Sequence, residues 1–503
     1  MDKIKAEEMR LIDNFGRERI FNGICVCDKG CYNNETGKRD YNILWKKGLA
    51  KKLKESGINL IRLGFTWEAV EPEMEKYNDA YMDEMKAILD ECEQQGIYVY
   101  LDIHQDLYSG FGDGDGDGAP DWATMTNGHK YTRARFVWAE GYFLSKAVHS
   151  AFDNFWSNAD LCGRGIQDRF CDMWCYVLSK IGNHNAVIGF DVLNEPFPGT
   201  DGGKIIKKII GKLVSTTIFD KSIPLSKLIK RALKPETRHE VLDLYGGEQL
   251  RKVTSSADAL IKKFDTERYS PFINRTLKAI RNAGSDKIVV MENSYYSNLG
   301  IPYSCPAPTV DGKKDDNIVF APHAYDFMVD TPEYKYANNE RIKSIFDEHR
   351  RSQERLGVPV IVGEWGGYTD GNEWFHHIKF LQTLFDSYKW SSTYWLNFDG
   401  SHDWSDTNTT VNSELFTDVL IRPHPIAVTG TIESYCHDRE KNTFELSYTQ
   451  DGEFDVPTEI YLPAQPKSIT TDGDYEMQKI EDCNAVILKV STNAGKHKIS
   501  VEF

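Results

Sequence analysis

No stretch of this sequence approaches the ~20 consecutive apolar residues of a membrane-spanning helix, which argues against an integral helical membrane protein. The opening residues, Met1-Asp-Lys-Ile-Lys-Ala-Glu-Glu8, carry no apolar core, so no signal peptide is expected and a cytoplasmic location follows unless a leader has been removed. Basic residues are in deficit, 60 Lys+Arg against 76 Asp+Glu, and a net charge of −16 excludes nucleic acid as the main partner. The ten cysteines form no CxxC pair and no regular framework, so they read as free thiols of a reducing compartment. Cys25, Cys27 and Cys31 crowd together without the ligand spacing of a metal site.

What the chain does have is length and aromatic side chains. Its 503 residues exceed one ordinary domain, and its 12% aromatic content fills a core and also suits a cleft in which sugar rings pack their C–H faces on aromatic rings. Apolar, β-branched runs at 19–26, 59–65, 97–104, 187–194, 287–292, 317–323, 358–364 and 393–397 read as strands. Helical patterns at 42–56, 79–95, 167–181, 270–283, 339–356 and 373–388 lie between them. This alternation predicts an α/β fold, a (β/α)8 TIM barrel over 1–422 with an insertion at 200–267 after the fourth strand. Beyond Arg422-Pro-His-Pro425 the texture becomes short alternating strands at 430–438, 443–449, 459–462, 484–490 and 498–503, which predict a small β-sandwich domain over 423–503.

Polar or aromatic residues close most of the barrel strands: Arg62, His104, Asn194 with Glu195, Glu292, His323 with Tyr325, Glu364 and Trp395. Barrel active sites lie at that face. Glu195 in Gly189-Phe-Asp-Val-Leu-Asn-Glu-Pro196 and Glu364 in Val360-Ile-Val-Gly-Glu-Trp365 put two carboxylates on different strand tips. That is the equipment for cleaving a glycosidic bond.

This constellation resembles glycoside hydrolase family 5. The resemblance implies a retaining enzyme with Glu195 as acid/base and Glu364 as nucleophile, Arg62 paired with Glu364, and Asn194 on the sugar 2-hydroxyl. It places His104, His323 and Tyr325 around the reacting sugar and Trp395 beneath it, and it implies no metal and no organic cofactor. Asp102-Ile-His-Gln-Asp-Leu-Tyr108, Gly116-Asp-Gly-Ala-Pro-Asp-Trp-Ala123, Asn194-Glu-Pro-Phe-Pro-Gly199 and Pro457-Thr-Glu-Ile-Tyr-Leu-Pro463 are similar to the endoglycoceramidase branch of that family. By that likeness the expected substrate is a β-linked glycolipid, a ceramide glycoside or a steryl glucoside, with Lys29 and Asp106 on sugar hydroxyls. A polysaccharide endoglucanase or mannanase, and a non-catalytic carbohydrate- or membrane-binding scaffold, are the competing expectations.

The insertion adds a separate clue. Ile205, Ile206, Ile209, Ile210 and Leu213 repeat at helical spacing among lysines, and residues 204–234 carry nine basic residues against the single acid Asp220. Such a helix suits the surface of an anionic membrane near the site. Gly112-Asp-Gly-Asp-Gly-Asp-Gly118 opens like a calcium loop, but its twelfth position falls on Thr124, so a flexible loop over the cleft is expected instead.

Overall fold

The computed structural model describes residues 1–42, 45–135, 138–219, 225–232, 234–245, 247–329, 331–369, 371–395 and 413–503. Parallel strands β1 (Asn22–Cys27), β2 (Leu60–Thr66), β3 (Tyr98–His104), β4 (Val187–Asp191), β5 (Ile288–Glu292), β6 (Ile318–Ala321), β7 (Ile361–Val362) and β8 (Ser391–Tyr394) form one sheet in the order β6-β5-β4-β3-β2-β1-β8-β7. Single parallel bridges, Phe320 with Val360 and His323 with Glu364, join β6 to β7 and close the sheet on itself. Every residue of β2 and β3 is buried, as expected for strands covered by helices outside and side chains inside. Residues 396–397, the end of the expected eighth strand, lie outside the described residues.

Alternation sorts the side chains. On β2, β3, β5 and β6 the outward residues Ile61, Leu63, Phe65, Val99, Leu101, Ile103, Val289, Met291, Ile318 and Phe320 join the large core shared with the helices. The inward residues near the strand starts, Leu60, Tyr98, Tyr100, Ile288, Val290, Val319 and Ala321, form a second apolar cluster inside the barrel. The next inward residues along the same strands are Arg62, Asp102, Glu292 and His323, all buried.

The helices follow their caps. Asp79–Gln95 starts where the Asn78 side chain accepts the Tyr81 N–H, and it stops at Gly96 in the left-handed region, φ 73°. Asn339–Leu356 repeats the device with Asn338 and Gly357. The first expected helix, 42–56, is shorter, Leu49–Glu55.

The sandwich takes strands from both ends of the chain, not from 423–503 alone. Ile4–Glu7, Arg10–Asp13 and Glu18–Arg19 join His424–Val428, Thr458–Leu462, Val486–Ser491 and Asp474–Lys479 in one seven-stranded antiparallel sheet. A four-stranded sheet of Thr431–Asp438, Thr443–Gln450, Gly495–Glu502 and Ser468–Thr470 packs against it. Residues 4–19 therefore belong to the sandwich, while Ile4 and Leu11 also plug the lower end of the barrel. Strands of four, four and two residues are too short to show a period in the sequence. Arg422 makes a buried two-pronged pair with Asp386, at 2.5 and 2.7 Å, which anchors the junction to the last barrel helix.

Among the described residues no helix is long and apolar enough to cross a membrane. The expected amphipathic stretch is a helix, Thr200–Phe219, but its apolar stripe is split. Ile205 is buried and Ile209 packs on the core, whereas Ile210 and Val214 face outward at 51% and 47% exposure beside exposed Lys207, Lys208 and Lys212. Lys221 lies outside the described residues.

Candidate active site

The strand ends bring the two glutamates together. One carboxylate oxygen each from Glu195 and Glu364 and a ring nitrogen of His323 all lie within 4.8 Å of one another, and all three residues are buried. The bridge between His323 and Glu364 fixes their register, and it needs a glycine beside it, because a Cβ at Gly363 would fall 2.5 Å from the His323 ring.

Arg62 is the hub beneath this pair. Its Nη1 donates to Glu364 at 2.5 Å, Nη2 to Glu292 at 2.7 Å and to the Asn194 side-chain oxygen at 2.9 Å, and Nε to Asp191 at 3.1 Å. Asp102 lies 3.1 Å from Nη2. Tyr325 donates its hydroxyl to the other Glu364 oxygen at 2.9 Å. Glu364 is thus held by two donors on separate oxygens, which fixes its plane. Asn194 passes its amide N–H to the Gln105 carbonyl at 3.1 Å.

Glu195 stands opposite in an unusual backbone state, φ 41°, a region that a residue with a Cβ enters only when its surroundings hold it there. Its N–H donates to Glu292 at 2.6 Å, and its Oε1 accepts from the Asn298 amide at 2.7 Å and from His323 Nδ1 at 3.3 Å. Burial pushes the Glu195 carboxyl up, the negative charge of Glu364 adds to this, and His323 opposes it without cancelling it. For His323, burial disfavours the cation, but the charges of Glu292 and Glu364 and its hydrogen bonds outweigh burial and push it up to about 10. Glu292 is buried too, yet His323 and Arg62 hold it down to about 2. The site therefore pairs a carboxyl whose ionisation burial disfavours with an imidazolium that donates to it.

The remaining expected residues contact one another. His104 donates to or accepts from Asp102 at 3.0 Å and stacks on Trp395, ring centres 5.4 Å apart at 13°. Lys29 pairs with Asp106 and sits 4.9 Å over the Trp395 ring and 6.0 Å from that of Trp138. Despite burial, the charge of Lys29 holds Asp106 down to about 2. The ten expected residues are thus joined, through Asp102, in one network of contacts at the strand ends.

Several of its members had no assigned role in the sequence. Asp102 and Asp191 are lone acids within apolar strands, Leu101-Asp-Ile103 and Phe190-Asp-Val192, and that isolation was the available signal. Asn298 belongs to the turn after β5, and nothing in its neighbourhood marks it. In the Gly-Asp repeat the carboxylates diverge: Asp113 pairs with Arg133 at 2.7 Å, Asp115 takes the Tyr131 hydroxyl at 3.0 Å, and Asp117 turns inward to the Asp106 N–H at 3.2 Å. That splay suits a loop tied to its neighbours.

Comparisons with known proteins bear on the family and the fold. Residues 28–233 and 246–401 match the model of cellulase (glycosyl hydrolase family 5), and 422–501 match the glycoside hydrolase family 5 C-terminal domain. An endoglycoceramidase of Cyanea nozakii is 30% identical over 217 residues, which are 39% of this chain and 42% of that protein. An ergosteryl-beta-glucosidase of Saccharomyces cerevisiae is 31% identical over 200 residues, covering 30% of this chain and 26% of that protein. The matches thus span about two fifths or less of these curated relatives. A structure of endo-glycoceramidase II from Rhodococcus sp. with ganglioside GM3 aligns over 99% of both chains with a TM-score of 0.71 at 22% identity. At that identity the likeness speaks to the fold.

Proposed function

The chain belongs to glycoside hydrolase family 5, and we propose that it is a retaining β-glycosidase that releases sugar from a lipid aglycone, a ceramide or a sterol. The observation that carries this reading is the approach of the Glu195 and Glu364 carboxylate oxygens within 4.8 Å. Double displacement uses carboxyl groups roughly 5–5.5 Å apart, whereas an inverting pair leaves room for a water at ~6.5–9.5 Å.

Glu364, oriented by Arg62 and Tyr325, attacks the anomeric carbon as the C–O bond to the aglycone breaks. Glu195, holding its proton through burial, delivers it to the leaving oxygen. The glycosyl ester on Glu364 is then attacked by water, from which Glu195 removes a proton, and Glu364 departs as carboxylate. Trp395, packed against His104 and Lys29, stands beside this pair as the aromatic residue that the family likeness assigns to the sugar. The names of the relatives support a lipid glycoside, and the exposed Ile210 and Val214 among Lys207, Lys208 and Lys212 supply a face for an anionic membrane.

One experiment tests both halves. Wild type, Glu364→Gln and the Lys207→Glu, Lys208→Glu double variant are assayed on a chromogenic β-glycoside and on glucosylceramide, lactosylceramide and steryl glucoside in anionic vesicles. Glu364→Gln is expected to lose at least about 10³-fold on every substrate. The lysine variant is expected to lose activity on vesicles alone. Turnover by Glu364→Gln sinks the enzymatic reading, and equal losses of the lysine variant on both substrate types sink the membrane face.

A further inference from the structure

The segment from Glu292 to Asn298 touches Glu195 at two points and Pro196 at a third, none of them an expected catalytic contact. Glu292 Oε2 accepts the Glu195 N–H at 2.6 Å, and the Tyr295 N–H donates to the Pro196 carbonyl at 3.0 Å, so the chain on either side of the φ 41° kink is tied to β5 and the turn after it. Asn298 then donates to Oε1 at 2.7 Å. The orientation of its amide is fixed from behind, because its oxygen accepts from Asn293 Nδ2 at 2.6 Å, and the Asn293 oxygen accepts the His323 N–H at 2.9 Å. The second donor to Oε1 is His323 Nδ1, whose other nitrogen lies 3.3 Å from Glu292 Oε1.

A carboxyl oxygen that already accepts two N–H donors is a poor place for a proton, since an O–H there would face those donors. We propose that Glu292 and Asn298 are positioning residues that assign the two oxygens of Glu195 different tasks, Oε1 as a fixed acceptor and Oε2 as the carrier of the transferred proton. This rests on the acid/base role of Glu195 proposed above. Glu292 holds the kinked backbone and the imidazolium, and Asn298 holds the plane of the carboxyl. The charged and titratable groups around Glu195 are His323, Glu292, Glu364 and Asp106, with Tyr142 and Tyr295 at its sides. Arg62, Asp191 and Asp102 lie behind Glu292.

The sign follows from hydrogen bonding. N–H donors favour the ionised carboxylate, so removing one raises the Glu195 pKa and moves the alkaline limb of kcat/KM to higher pH. The rate plateau falls because the proton is no longer aimed. Asn298→Ala, the half-buried site, and Glu292→Gln are compared with wild type across pH on two soluble β-glycosides, one with an alkyl alcohol as leaving group and one with dinitrophenol. Asn298→Ala is expected to lose about 10–100-fold on the alkyl glycoside and under about threefold on the dinitrophenyl one, which needs no proton, with its alkaline limb displaced upward. Glu292→Gln is expected to show the same split, and melting curves check that both variants fold. Equal losses on both aglycones with an unmoved limb overturn the proposal. Azide acceleration of Glu195→Ala on the dinitrophenyl glycoside separately tests the acid/base role, so failure of that reading is distinguishable from failure of this one.

Discussion

At its lower end the barrel interior holds Leu60, Tyr98, Tyr100, Ile288, Val290, Val319 and Ala321, whereas the next inward positions on the same strands are Arg62, Asp102, Glu292 and His323. Two residues of strand separate an oil-filled floor from a cage of buried charge. The floor is stabilised mainly by apolar burial and should depend little on pH. The mouth costs desolvation at every charge and is tolerable because each charge is paired. One half of the barrel supplies the rigidity that the other half uses to hold like charges close together.

Cutting into the mouth should cost most. Arg62→Leu leaves Asp102, Asp191, Glu292 and Glu364 without their shared cation, and a loss of about 3–5 kcal/mol is expected together with near-complete loss of turnover. The stability loss should shrink as pH falls, because the orphaned carboxylates then take up protons. A melting temperature independent of pH between about 5 and 8 would show that the cage does not govern stability. In the floor, Ile288→Ala should cost about 2–4 kcal/mol through the cavity it opens, with kcat within about twofold of wild type and no pH dependence of the loss. A strong drop in kcat would mean that the two ends are not separable.

A smaller effect sharpens the contrast outside the barrel interior. Asp265 is buried with one oxygen lacking a partner, and burial pushes it up to about 8, with the Ser304 N–H opposing. A raised pKa in the folded state gives stability that is present below the ordinary carboxylate range and is lost as pH rises toward 8. Asp265→Asn should therefore gain melting temperature over wild type at about pH 8 and little at about pH 4, by differential scanning calorimetry. An equal shift at both pH values would assign Asp265 a charged state throughout.

The sequence disclosed the parts of this molecule that obey a period or end in a turn. Helix Asp79–Gln95 was legible to the residue because Asn78 and Gly96 cap it. Glu195 and Glu364 were legible because a glutamate that ends an apolar run and precedes turn residues marks a strand tip facing a cleft. The N-terminal strands were not, since they are too short to show a period and are tied to the sandwich through Glu18–Arg19, Arg19 pairing with Ala427 across some four hundred residues. Helix Thr200–Phe219 was legible in its spacing but not in its facing, since Ile205 turns to the core and Ile210 to solvent. Periodicity gives a stripe but not which part of it the protein covers. Asn298 was invisible, being placed by a kink at Glu195 that no local pattern announces.

Seven of the eight joints in the barrel wall are laddered, and the eighth, between β6 and β7, is stitched by the Phe320–Val360 and His323–Glu364 bridges. Because Glu364 stands on one bank of that joint and Glu195 reaches His323 on the other, a sugar held by both, as the proposed double displacement requires, would act as a keystone. Amides such as Gly363, bonded to Pro322 across the gap at 3.2 Å, are then expected to exchange with solvent more slowly while the proposed glycosyl ester is in place, the arch stiffening during the half of the cycle in which water must be admitted in order.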